Sequence, residues 1–224
     1  MIVAEQKSFK EIYDSVKESQ KLLVLGCGTC VTVCMAGGEK EVGVLANQIR
    51  LAAKQEERTI EVNEHTLTRQ CDDEFFDETV TEKIKEADSV LSVGCGVGVQ
   101  HIVQLYPDVV VHPGLNTKFF GATLQQGIWG ERCAGCGECV LDKFEGICPI
   151  ARCSKSLMNG PCGGSSNGMC EVDPENTECA WQLIYDRMKR LNKLDKLMEY
   201  QPPKDWSHDH DGGPRRISRE DVLF

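Results

Sequence analysis

The chain has 224 residues, 41% of them hydrophobic, and a formal charge of −10. That length can bury one sizeable core, or one core with a small satellite domain. No run reaches the roughly 18 apolar residues of a membrane span, and no lysine or arginine stripe is present to neutralise a nucleic-acid backbone, so neither a membrane span nor a nucleic-acid partner is expected.

The start, "MIVAEQKSFKE", lacks the basic end and apolar centre of a signal peptide, which makes the cytoplasm the expected location. "SFKE" at Ser8 to Glu11 fits a capping box, and Phe9, Ile12, Tyr13 and Val16 recur at helical spacing, predicting a first helix to about Gln20. "KLLVLG" is continuous and apolar, as a strand buried on both faces of a parallel sheet must be. Helical "EVGVLANQIRLAAKQ", β-branched "RTIEV", helical "DEFFDETVTEKIKEA" and a second apolar strand, "SVLSVG", follow. "DVVVHPG" reads as one more strand, before a glycine-containing connection through "FFGATLQQGIWG". This alternation predicts an α/β fold, a small Rossmann-like parallel-sheet domain over residues 1–125.

From about Arg132 the pattern breaks into short cysteine-spaced loops with "NGPCGG" and "SSNG" turns, a metal-organised module over 126–200. Asp173-Pro174 is expected to open its C-terminal helix, with Ala180, Leu183, Ile184, Met188, Leu191, Leu194 and Met198 as a broad apolar face. Residues 201–224 have no periodicity and read as an extended tail, which Trp206 and the closing "VLF" suit to docking on a partner.

Thirteen cysteines are the informative excess. In a reducing compartment thiols are not normally paired, so a metal is the expected staple. Cys27, Cys30 and Cys34 are spaced C-x2-C-x3-C on the loop after the first parallel strand. "VLGCG" and "SVGCG" echo each other, which places Cys27 and Cys95 just past the carboxyl ends of two strands, where open α/β sheets gather ligands. Cys71 lies after another strand. "GCGTCV" also carries two glycines of a dinucleotide fingerprint, with Val31 where the third belongs, a weak match. Thiolates without an accompanying histidine select zinc or iron–sulfur clusters, and a triplet at the ligand edge of a sheet favours a four-iron, four-sulfur cubane over zinc. The set chosen for it is Cys27, Cys30, Cys34 and Cys95, with Cys71 replacing Cys95 or standing behind it.

The second constellation, Cys133, Cys136 and Cys139 with Cys148-Pro149, resembles the bacterial ferredoxin run apart from a longer gap before the Cys-Pro. Cys153, Cys162, Cys170 and Cys179 remain as a quartet able to hold another cubane or a closed zinc site. His65, His101 and His112 read as ordinary core or surface histidines, and no nucleophile with a paired base stands out.

Taken together, "LGCGTCVTVCMAGG", "RQC", "RCAGCGECVL", "GICPIARCSK", "NGPCGG" and "CEV...ECAW" resemble the small iron–sulfur subunit of two-subunit methylenetetrahydrofolate reductases of acetogenic and other anaerobic bacteria, over roughly Lys21 to Tyr185. The resemblance implies metal ligation among all thirteen cysteines. It also implies a flavin-containing (FMN or FAD) catalytic partner that reduces methylenetetrahydrofolate, and an electron donor such as ferredoxin or a larger redox complex. This chain would then carry electrons rather than catalyse. The alternative is a zinc-stabilised module that scaffolds a flavoprotein.

Overall fold

The computed structural model describes residues 1–219 and 221. The chain forms two compact units, Met1–Trp129 and Gly130–Phe224.

The first unit is α/β. Four parallel strands, β2 (Lys21–Cys27), β3 (Glu61–Leu67), β4 (Ser89–Ser92) and β5 (Val110–Pro113), lie in the order β3-β2-β4-β5. β2 is buried from Leu22 to Cys27, and successive side chains of a strand point to opposite faces. Leu22 and Val24 therefore join a core with Val42, Leu45, Ala46 and Ile49 of helix α3 (Glu39–Gln55). Leu23 and Leu25 join a second core with Val80 and Ile84 of α4 (Glu78–Glu86) and Ile102 of α5 (Gly96–Leu105). A continuous apolar strand is required because both of its faces are covered. Truncating fully buried Leu23 to alanine should cost about 2–5 kcal/mol.

Helix α1 (Phe9–Val16) begins as expected, with the Ser8 hydroxyl accepting from the Glu11 N–H. It stops at Val16, short of Gln20, and the Ser19 N–H bonds back to the Val16 carbonyl. The third strand lies downstream of "RTIEV", which contributes only its last two residues, and the helix expected from Asp73 is a 3₁₀ turn, Asp73–Phe75, followed by α4 capped by Asp77. "FFGATLQQGIWG" is not a connection but part of two strands, β6 (Leu115–Gln125) and β7 (Ile128–Cys133), with Gly127 at φ +84° between them. With β1 (Ile2–Gln6), a strand the sequence did not announce, they form a three-stranded sheet in the order β1-β6-β7. β1 runs antiparallel to β6, from Ile2 opposite Phe120 to Gln6 opposite Leu115.

The second unit has little regular structure: α6 (Pro149–Arg152), α7 (Ala180–Arg190) and scattered turns. Its core is small, with Val140, Phe144, Ile150, Cys179, Trp181, Ile184 and Met188 buried together. Phe144 meets the Trp181 ring edge-on at 5.6 Å between centroids, and the Trp181 indole N–H donates to the Leu157 carbonyl at 3.0 Å. Asp173-Pro174 does not open α7. The Asp173 carboxylate instead accepts from the Asn176 N–H, the Asn176 side chain and the Thr177 hydroxyl, a local turn of the kind that competes with a helix start. Met198, expected on the apolar face, is 87% exposed in a 3₁₀ turn beyond the helix. Within 201–224 the chain forms further 3₁₀ turns, Trp206–His208 and His210–Gly212, rather than running extended. The closing Val222–Phe224, expected to dock, lie outside the described residues. Among the described residues no helix is long and apolar enough to cross a membrane.

Candidate metal centres

In the first unit the site follows from the strand order. β3 lies on one side of β2 and β4 on the other, so the chain changes direction across the sheet between β2 and β4, the switch point at whose carboxyl edge open α/β sheets bind ligands. Cys27 ends β2, Cys95 caps α5 just past β4, and Cys71 follows β3. Partial burial raises the Cys71 thiol above its ordinary value, and the neighbouring charges of Cys95 and Cys27 raise it further. The Cys71 thiol on one loop is thus close enough to feel those of Cys27 and Cys95 on two others. The N-terminus of ten-residue α5 opens immediately after Cys95, a favourable place for thiolate charge.

The loops are fastened by Gln70, which is 1% exposed. Its amide donates to the Leu25 carbonyl of β2 at 2.9 Å, and its carbonyl accepts from the Ser92 hydroxyl of β4 at 2.6 Å. The Gly94 N–H in turn donates to that hydroxyl at 3.2 Å. One buried side chain next to Cys71 therefore spans the strands that carry Cys27 and Cys95. Sequence reasoning missed Gln70, because nothing marks a lone glutamine before a cysteine.

Cys30 and Cys34 stand differently. Cys30 opens α2 (Cys30–Val33), a single turn. Cys34 is buried in the core beside β1, with its thiol facing the Ala4 and Val31 carbonyls at 3.5 and 3.6 Å. Burial pushes its thiol up. The short α2 also weakens the dinucleotide motif, since the next long helix, α3, starts only after Gly38, and it is the N-terminus of a regular helix that receives the phosphates in that motif.

In the second unit the eight cysteines sort into two quartets, each lining its own recess. Cys133, Cys136, Cys139 and Cys148 line an open one of about 340 Å³. Its loop carries Gly135 and Gly137 at φ +68° and +82°. The Gly135 N–H donates to the Cys133 sulfur at 3.3 Å, and the Ala151 N–H to the Cys148 sulfur at 3.5 Å, where Cys148 caps α6 with Pro149 as its first residue. Amide donors of this kind lower the energy of sulfur-borne negative charge.

Cys153, Cys162, Cys170 and Cys179 line the other recess, of only about 20 Å³. Cys179 is buried and caps α7, and the Cys170 thiol is lowered by its contact with the Ser154 hydroxyl and by nearby backbone amides. Lys155 and Glu171 pair beside it. Among the described residues no three His, Cys, Asp or Glu side chains are placed to hold a single ion. In donor chemistry both quartets fit a soft metal or an iron–sulfur cluster, being purely thiol. In size they differ, since a cluster needs the wider recess whereas about 20 Å³ is room for little more than one water-sized body.

His65, His101 and His112 take no part in these groups. Burial holds His65 and His112 below the usual imidazole range, and the His101 Nε2 lies 2.7 Å from the Asp73 carboxylate.

Residues 112–207 match the family model described as methylene-tetrahydrofolate reductase C terminal. That segment contains both quartets of the second unit and none of the five earlier cysteines, so the similarity to the C-terminal part of methylenetetrahydrofolate reductases covers the second group of cysteines alone. No curated protein and no solved structure matches the chain.

Proposed function

We propose that this chain is the iron–sulfur electron-transfer subunit of a methylenetetrahydrofolate reductase complex, relaying electrons to the flavin of a separate catalytic subunit. The observation that carries the reading is the sorting of the eight cysteines inside the family-matched segment into two all-thiol quartets with separate recesses. Cys133, Cys136, Cys139 and Cys148 are the ligands of one cluster. Cys27, Cys71 and Cys95, with Cys30 from the adjacent turn, are those of another. Cys34 is a core residue. An iron–sulfur cluster supplies one-electron chemistry at a potential set by its charge, burial and the hydrogen bonds to its sulfurs. This chain's residues would hold those sulfurs and aim amides at them, while folate and flavin chemistry would belong to the partner.

A second reading, zinc as a structural staple, is favoured at one place. The narrow recess of Cys153, Cys162, Cys170 and Cys179 suits one tetrahedral ion better than a cluster. The two readings combine in a chain with iron–sulfur centres at the first two sites and zinc at the third.

The test is anaerobic purification followed by iron, sulfide and zinc analysis of the whole chain and of Cys71→Ser, Cys136→Ser and Cys170→Ser. Loss of iron in the first two variants and of zinc in the third supports the assignment. A colourless, iron-free protein that still sustains folate reduction by a flavoprotein partner overturns it.

A further inference from the structure

The tail lies against the loop of the ferredoxin-like quartet. Lys204, whose side chain is 2% exposed, reaches the Glu138 carbonyl at 3.1 Å and its carboxylate at 3.4 Å. Arg215 donates from one guanidinium nitrogen to the Gly135 carbonyl at 2.7 Å and to the His208 carbonyl at 3.1 Å. Between these anchors the His208 backbone rests on Gly137 so closely that a Cβ there would fall 2.1 Å from the His208 oxygen. Three successive contacts thus tie residues 204–215 to the turn between Cys133 and Cys139.

The direction of these bonds matters. Both cations take carbonyl oxygens of the loop, at residues 135 and 138, whereas the Gly135 N–H is directed to the Cys133 sulfur. The Glu138 carbonyl that Lys204 holds also accepts from the Cys136 thiol at 3.5 Å, so the strap grips the loop at the oxygen its middle cysteine touches, and the ammonium offsets that oxygen's negative end beside the sulfur. Two positive charges beside the loop also favour the more reduced, more negative state of anything the cysteines would hold.

We infer that residues 204–215 form a strap across the Cys133–Cys139 loop, with Lys204 and Arg215 acting as positioning residues that hold the loop closed through its Gly135 and Glu138 carbonyls. The identity of what the thiolates hold rests on the function proposed above; the strap itself does not. The arrangement explains why a glycine stands at 137, where any side chain would displace the His208 backbone.

The experiment compares the full-length chain with Arg215→Met, Arg215→Lys, Lys204→Met and, as a control in the same tail, Arg216→Met. Two readouts are taken on the anaerobically isolated protein: alkylation rates of Cys133, Cys136 and Cys139, mapped by mass spectrometry, and the rate at which a chelator strips its metal. Losing a charge-assisted hydrogen bond should open the loop more often and speed both rates about tenfold in Arg215→Met, with Arg215→Lys partly restoring protection and Arg216→Met leaving it unchanged. The midpoint potential of the centre should move to more negative values in Arg215→Met. Alkylation at the wild-type rate in both Arg215→Met and Lys204→Met overturns the strap. Faster alkylation in a chain that never carries iron upholds the strap and overturns the electron-transfer reading instead.

Discussion

Gln70 and Gly94 touch so closely that a methyl group on Gly94 would lie 2.1 Å from the Gln70 side-chain oxygen. The same glutamine bridges β2 and β4 through Leu25 and Ser92, so the pair sets how near the loop bearing Cys95 comes to the loop bearing Cys71. Gln70→Leu keeps the volume but leaves the Ser92 hydroxyl without an acceptor for its proton, at a cost of about 1–3 kcal/mol, while the Leu25 carbonyl keeps the Val93 N–H at 2.9 Å. Gly94→Ala forces the glutamine aside and should cost about as much. Both variants should unfold at lower urea concentration than the wild type and bind less metal at the first site, while the metal content of the second unit is unchanged. Full metal content at the first site in both would mean that Gln70 is only a core residue.

Cys34 and Cys71 make opposite predictions although both are cysteines of the amino-terminal pattern. Cys34 packs beside Val3, Ala4 and Val31 with its thiol on backbone carbonyls, and replacing it by alanine leaves a small cavity costing about 1 kcal/mol. Iron content should be unaffected. Cys71→Ala should cost little in stability, because the residue is exposed, yet should remove the iron of the first site. Measuring iron and denaturation midpoints on both variants decides between this assignment and the triplet Cys27, Cys30 and Cys34.

The contrast shows where local pattern reached and where it failed. β2 was legible because both of its faces are buried and leave an uninterrupted apolar run. The Ser8 cap was legible because its bond is three residues long. β1 was not, since its partner residues 115–120 lie more than a hundred positions away and nothing local announces a five-residue strand. β6 was hidden because only Leu115 and Gly121 of its eleven residues are buried, so no clean alternation survives. Spacing grouped Cys27, Cys30 and Cys34, and the strand-end echo added Cys95, with Cys71 replacing it or standing behind it. The order β3-β2-β4 brings the loop of Cys71 near those of Cys27 and Cys95, whose charges it feels, and strand order is not written in spacing.

Two histidines give the first unit a dependence on pH. Burial lowers His65 on β3, helped by the Lys83 ammonium 3.3 Å from its Nδ1 and opposed by Asp77, and burial alone lowers His112 on β5. With folded values below the unfolded value of about 6.5, the unfolded chain binds more protons just below that pH, so stability is fully present above it and is lost as pH falls toward the folded values. Hydrogen exchange of the β2 amides, corrected for intrinsic rate, should therefore show weakening protection from about pH 7 downward. The double variant His65→Gln/His112→Gln should flatten that slope. An unchanged slope in the variant would assign the dependence to other groups.

Metal removal should affect the two units unequally. The first has two extensive cores on either side of its parallel sheet, whereas the second buries a single small cluster around Trp181 and Ile184. A unit with so little apolar burial depends on cross-links for its fold, and metal–thiolate bonds supply them as folding free energy. Anaerobic treatment of the whole chain with a strong chelator should therefore expose the Trp181 indole, which in the folded unit is 6% exposed and bonded to the Leu157 carbonyl. Cleavage by a protease should then fall first in the cysteine loops between Cys133 and Cys179, while the β2 and α3 segments stay intact. Restoring iron and sulfide, with zinc, should bring back protection of the loops. If instead the second unit keeps its tryptophan environment and its resistance after complete metal loss, its cysteines are not the staple that its small core requires.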